Sequence, residues 1–317
     1  MTLDAAQQLA LDVRRGDRRA LARALTLIER GGAPVRFLRK ALIGYGVGSL
    51  VGITGAPGAG KSSLTTVITQ ELRKRGMQVG IIAVDPSSPL TGGSLLGDRI
   101  RMYDLAGDSG VFIRSMANRG QYGGLAATTL DAAMLMRAAG FGMVLLETVG
   151  AGQSDVAVVD IADTVLLVEA PGMGDEVQSI KAGLLEVADV IVVTKSDRPD
   201  AAATLQQLRA LLRMQMESAD AWTVSVFPVS ALRQTGVTDV VDALVAHAEW
   251  LQTHPATWRQ QRRHLLSLQR ALESQLHEAV QQLPGWSKAV AQLGHYDCDL
   301  LAQQLFTELV ANGFTKE

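Results

Sequence analysis

Leu50-Val51-Gly52-Ile53-Thr54-Gly55-Ala56-Pro57-Gly58-Ala59-Gly60-Lys61-Ser62-Ser63 is the stretch on which the fold turns. Its first five residues read as a buried strand. The next eight fit G-x-x-x-x-G-K-[ST], the phosphate-binding loop, or P-loop. Leu64, Val67, Ile68 and Leu72 then follow at helical spacing, and Gly76 stops that run. Strand, glycine loop and helix are the context the motif requires. Glycines let the backbone wrap closely enough for its N–H groups to point at phosphate oxygens. The helix N-terminus adds partial positive charge there. Gly55, Ala56, Pro57, Gly58, Ala59, Gly60, Lys61, Ser62 and Ser63 are therefore the expected phosphate-binding set. Lys61 should reach the β- and γ-phosphates, and the Ser62 hydroxyl should ligate Mg²⁺.

Outward from this motif, short apolar runs alternate with amphipathic stretches. The strand candidates are 50–54, 79–84, 111–113, 143–146, 164–168, 190–193 and 224–229. Most are β-branched without polar alternation, as strands buried on both faces are. Helical patterns lie between most of them. The fold class is therefore α/β, a mostly parallel open sheet of the P-loop type. Residues 1–45 read as a helical extension that Gly31-Gly32 interrupts, and residues 46–252 as the nucleotide domain. Beyond His254-Pro255, Leu265, Leu268, Leu272, Leu276, Ala279 and Leu283 follow near-heptad spacing. Residues 253–317 are expected to be a helical arm whose apolar seam pairs two copies of the chain, giving a homodimer.

Two acids stand where strands run out. Asp85 follows the 79–84 run and Glu147 follows 143–146. In open parallel sheets ligands bind beyond the carboxyl ends of the strands. Either acid alone would serve equally well as a helix cap. Two in one P-loop sheet point to the Mg²⁺ held by Ser62, one acid ligating it and the other orienting the attacking water. Glu147-Thr148-Val149-Gly150 also has the form of the D-x-x-G switch with Glu for Asp, which puts the Gly150 N–H against a γ-phosphate. Thr194-Lys195-Ser196-Asp197 follows the 190–193 strand and resembles the N-K-x-D guanine element. Asp197 can accept from guanine N1–H and N2–H₂, which adenine does not offer, and the Lys195 stem can cover the base. Thr194 stands where Asn is usual and removes an amide that braces the loop. Ser230-Ala231-Leu232 matches the loop whose backbone N–H meets guanine O6. The nucleotide is therefore expected to be GTP or GDP, with Mg²⁺.

Composition narrows the partners. The 317 residues carry 30 basic and 32 acidic side chains, a net charge of -2. Nucleic acid as the main partner would call for a basic surplus. No apolar run reaches the ~18 residues a membrane span needs. The interrupted Arg-rich start reads as a helix rather than a targeting segment. One cysteine, Cys298, makes no internal disulfide and offers no zinc cluster. A reducing, cytoplasmic setting is the expectation.

Taken together, the segments resemble the MeaB/ArgK family, whose human member is the methylmalonic aciduria type A protein. The resemblance is carried by 52–62, Val84-Asp85-Pro86-Ser87-Ser88, Gly92-Gly93-Ser94-Leu95-Leu96-Gly97-Asp98-Arg99, Glu147 to Ser154 and Pro171-Gly172-Met173-Gly174-Asp175-Glu176, with Gln178 and Lys181. It implies a GTPase that guards a B12-dependent acyl-CoA mutase, usually methylmalonyl-CoA mutase, and gates adenosylcobalamin loading. It implies that Asp85, Asp98 and Glu147 are the Mg²⁺-linked acids. By the same resemblance, residues 175–181 form a partner-responsive switch in which Lys181 neutralises charge on the transferring phosphoryl group. Arg99, Arg101, Arg114 and Arg119 are further cations that the spacing does not separate. Thr194 and Asp155 depart from the family pattern. The competing readings are a nickel-insertion GTPase, an ATP-dependent kinase of a transport system and a non-hydrolysing scaffold. Asp197 argues against ATP.

Overall fold

Valine, isoleucine and leucine crowd both faces of the apolar runs, so each run needs a covering on both sides. In the computed structural model all of them join one parallel sheet. The structure describes residues 3–30, 33–42, 46, 48–86, 105, 107–118, 122–148, 158–172, 178–214, 221–254, 261, 265, 268, 272, 275–276, 279–292 and 297–311. The seven strands are β1 (Ser49–Gly55), β2 (Val79–Pro86), β3 (Val111–Asn118), β4 (Met143–Thr148), β5 (Thr164–Glu169), β6 (Val190–Val193) and β7 (Ser225–Pro228), in the order β3-β2-β4-β1-β5-β6-β7. Every neighbouring pair is parallel. β1 lies in the middle between β4 and β5, where successive connections leave to opposite sides. That is the switch point at which such sheets bind ligands.

Side chains alternate between the two faces with period two. Val51, Ile53, Leu145 and Val168 face α4 (Lys61–Lys74) and α8 (Val237–Thr253). Leu50, Leu146, Leu167 and Ile191 pack on the other face with α5 (Tyr122–Ala138). α6 (Gln178–Val187) and α7 (Ala201–Arg213) supply Leu184 and Leu208 to that same core.

Three N-terminal helices share this core: α1 (Leu3–Arg14), α2 (Arg18–Arg30) and α3 (Ala33–Leu42) contribute Leu9, Leu21, Leu25 and Leu38. Asp17 caps α2, its carboxylate accepting from the N–H groups of Arg19 at 2.7 Å and Ala20 at 3.1 Å. Those bonds hold its carboxyl below the usual carboxylate range. Arg18 donates to the carbonyls of Ser109 and Val111, each at 2.6 Å, and lies 5.2 Å over the Phe112 ring. Arg114 pairs with Glu29 at 2.7 Å. This explains why β3 continues to Asn118, whereas its apolar run ends at Ile113: the charged side chain that interrupts the run finds its partner on α2. Arg39 forms a bidentate pair with the buried Asp131 of α5, which raises its pKa.

At the opposite end of the sheet from the glycine loop, Asp163 accepts from the Leu50 N–H at 2.8 Å and pairs with Arg137. His247 is buried there, its Nδ1 2.8 Å from Thr164 Oγ1 and its ring stacked on Trp250.

Residues 1–260 form one compact unit and 261–317 a second. In the second unit the described residues between 261 and 281 are helical. They are followed by α9 (Gly285–Ala291) and α10 (Cys298–Ala311), with Leu283, Leu305 and Leu309 buried together beside Trp286. Leu265, Leu268, Leu272 and Leu276 are exposed. Among the described residues no helix is long and apolar enough to cross a membrane.

Candidate nucleotide site

The glycine loop leaves β1 at Gly55, whose φ of 147° belongs to glycine. A Cβ there would come within 2.1 Å of the Val168 carbonyl oxygen on β5. The loop closes through an Ala59 N–H bond to the Ala56 carbonyl at 3.1 Å and enters α4 at Gly60, with φ 93°. Gly60 has no side chain to cap the helix, and a helix N-terminus of this kind favours an anion. Ala59 is fully buried, while Pro57, Gly58 and Ser63 are exposed. Lys61 is buried, and its ammonium donates to the carbonyls of Gly55 at 2.8 Å and Ala56 at 3.0 Å. The charge is thereby folded over the loop where phosphates would lie.

Glu147 sits in β4 opposite Ile53 of β1 and Ala83 of β2. Parity puts it on the face of Met143 and Leu145, toward α4. There the Ser62 hydroxyl donates to Glu147 Oε1 across 85 residues of sequence. A hydroxyl and a carboxylate at a helix N-terminus are the hard oxygen donors Mg²⁺ takes alongside phosphate, so these residues fit that ion. Asp85 is the next-to-last residue of β2, opposite Ala117 and one step past the Val84–Thr148 pair. It lies at the same end of the sheet as Glu147. Lys181 is on α6, but its side chain lies outside the described residues, as does that of Asp85. Asp98, Gly150, Asp175, Arg99, Arg101 and Arg119 also lie outside them. Arg114 is held by Glu29 and Thr26 on α2.

The segment expected to read the base is built on the ends of β6 and β7. Ser196 N–H donates to the Val229 carbonyl at 3.1 Å, and Lys195 adopts φ 51°. The Lys195 ammonium reaches the Gly58 carbonyl at 2.9 Å. Asp197 is exposed, and its Oδ1 accepts from the Ser230 hydroxyl at 2.6 Å. That bond, and one from its own backbone N–H, hold the carboxyl below the usual range. Ser230 also accepts from the Arg233 N–H at 3.2 Å. Ala231 is half-buried and Leu232 is 86% exposed. The sequence reading assigned Ser230 only a backbone role and did not see its hydroxyl orienting Asp197. It also passed over Glu169, a buried acid at the carboxyl end of β5 whose carbonyl accepts from the Thr194 N–H at 2.8 Å. The strand-end rule that singled out Asp85 and Glu147 applies equally to it.

Comparison with known proteins agrees with this geometry. The family model described as methylmalonyl Co-A mutase-associated GTPase MeaB matches residues 21–284. GTPase ArgK of Escherichia coli K12 is 39% identical over 241 residues, covering 74% of this chain and 73% of that protein. The mitochondrial methylmalonic aciduria type A homolog of Mus musculus is 36% identical over 249 residues, covering 73% of this chain and 60% of that protein. The crystal structure of a LAO/AO transport system kinase matches with a TM-score of 0.68 at 26% identity, covering 98% of this chain and 99% of that one.

Proposed function

The chain belongs to the MeaB family of P-loop GTPases, and from that membership we propose that it is a Mg²⁺-dependent G-protein chaperone of an adenosylcobalamin-dependent acyl-CoA mutase. The methylmalonyl-CoA mutase type fits best, because the family description names that mutase and the mouse relative is named for the corresponding aciduria. Its work is to gate cofactor loading and to protect the loaded enzyme, in the cytoplasm. The observation that carries the catalytic half is the meeting of Ser62 and Glu147 beneath an uncapped helix N-terminus.

Bound Mg²⁺ supplies charge neutralisation at the β- and γ-phosphates. Ser62, Asp85, Asp98 and Glu147 are the residues that would hold it, directly or through water. Lys61 turns from its own loop carbonyls to the phosphates, Gly150 contacts the γ-phosphate and Glu147 orients the attacking water. Asp197 reads the guanine N1/N2 edge, the Lys195 stem covers the base, and the 230–232 loop offers N–H groups to O6. Asp98 and Lys181 complete the set, Lys181 arriving when residues 175–181 are ordered by the partner. Ala151 directly follows Gly150, where other GTPases carry a catalytic glutamine, so intrinsic turnover is slow.

GTP turnover, measured with and without an added cobalamin-dependent mutase, should rise on mutase addition. Lys181→Ala should blunt the stimulated rate by about tenfold or more, as loss of a charge-neutralising cation does. No stimulation of the wild type by any such mutase removes the chaperone reading, and full stimulation of the variant removes Lys181 from it.

The exposed leucines from 265 to 276 recur at 3, 4 and 4 residues and form an apolar seam that a second copy would cover. Light scattering should find a dimer for the full chain and a monomer after truncation at Trp250. Two monomers would exclude pairing through this seam.

A further inference from the structure

We propose that Thr194 is a positioning residue that staples the phosphate loop to the base loop, and that, with its only hydroxyl proton committed there, the site reads guanine without a donor from position 194 to N7. The inference rests on the guanine-nucleotide reading above and assigns the departure from N-K-x-D a consequence.

Thr194 is 4% exposed and directly follows β6. Its Oγ1 lies 2.5 Å from the Ala59 carbonyl oxygen and 3.0 Å from that of Glu169. Both neighbours can only accept, and a hydroxyl has one proton to give. The same side chain underlies Gly60, where a Cβ would stand 3.6 Å from Oγ1 and 3.8 Å from Cγ2. The Thr194 N–H is anchored on Glu169 at 2.8 Å, so the residue cannot swing away without breaking β5 contacts. Lys195 clamps the adjoining Gly58 carbonyl. Position 194 therefore ties together residues 135 apart in sequence.

Guanine presents N7 and O6 as acceptors along one edge. An amide side chain at position 194 would carry two N–H donors, one for the loop and one to spare. A hydroxyl that holds the loop has none to spare. Base choice then falls on Asp197 at the N1/N2 edge and on the 230–232 loop at O6, while Thr194 acts on every nucleotide alike by keeping the phosphate loop in its binding shape. Without the staple, the nucleotide must order the loop as it binds, which weakens apparent affinity.

The test measures Kd for GDP, 7-deaza-GDP and ADP on the full chain by competition with a fluorescent GDP analogue. Wild type should bind GDP and 7-deaza-GDP within about twofold of each other, since no donor from this position addresses N7. Thr194→Val, which keeps the shape and loses the proton, should weaken both by a common factor of about tenfold. Thr194→Ser should restore both. A tenfold or larger penalty for 7-deaza-GDP in wild type would overturn the proposal, as would Thr194→Val binding both as tightly as wild type. Should Thr194→Val fail to fold, the wild-type ratio decides alone. ADP bound as tightly as GDP would overturn the guanine-site reading and this proposal together. A 7-deaza penalty with GDP still preferred over ADP would remove this proposal only.

Discussion

Replacing Lys61 with alanine is expected to weaken GTP and GDP binding by roughly 10²- to 10⁴-fold. The figure follows from two charge-assisted bonds to phosphate oxygens at ~1.5–3 kcal/mol each, with every ~1.4 kcal/mol worth tenfold. The ammonium donates to the Gly55 and Ala56 carbonyls, so binding phosphate requires it to exchange partners. The loop geometry does not depend on Lys61 alone. It is also held by the Ala59–Ala56 turn and by the close approach of Gly55 to Val168. Calorimetric titration measures the effect, with a thermal melt alongside to show that the variant is folded. An unchanged Kd in a folded Lys61→Ala would remove the phosphate site from 55–62. Ser62→Ala should raise the Mg²⁺ concentration needed for binding, because it removes the hydroxyl that meets Glu147.

The second large effect concerns the base. Wild type should prefer GTP over ATP by roughly 10⁴-fold, since a site built around a specific acceptor rejects a base that cannot donate to it. Asp197→Asn should relax that preference and turn the site toward xanthine nucleotides, whose N1/C2 edge offers an acceptor where guanine offers a donor. Turnover of GTP, XTP and ATP by both proteins checks it, and equal hydrolysis of ATP and GTP by wild type would contradict it. The same residue fixes the pH behaviour. The Ser230 hydroxyl and a backbone N–H stabilise the carboxylate, so the Asp197 pKa is lowered. A lowered pKa means the acceptor form persists as pH falls and is lost only below the ordinary aspartate value of ~3.9. Guanine preference should therefore be flat from pH 8 down to about pH 5.

Much of this was legible one segment at a time. The phosphate loop was, because glycines, lysine and serine at fixed spacing dictate local backbone shape and local hydrogen bonding within a few residues. All seven strands were found where apolar runs stood, and the parallel sheet followed from the lack of polar alternation in most of them. β3 and β7 show the limits of that rule. β3 outlasts its apolar run because Arg114 is neutralised by Glu29, 85 residues away. β7 is four residues long, shorter than the run from 224 to 229, because its one neighbour, β6, offers only the four residues Val190–Val193 to pair with.

Strand parity in the sequence placed Glu147 on one face of β4. Only the sheet order, with β4 directly beside β1, brings that face to the helix carrying Ser62. The hydroxyl of Ser230 on Asp197, the staple from Thr194 to Ala59 and the N-terminal helices sharing the main core were likewise invisible in the linear pattern. Backbone preferences act over one turn or one pleat and leave their mark at fixed spacings. Contacts between distant segments depend on which strands become neighbours, and that is decided when the whole chain buries its apolar faces together.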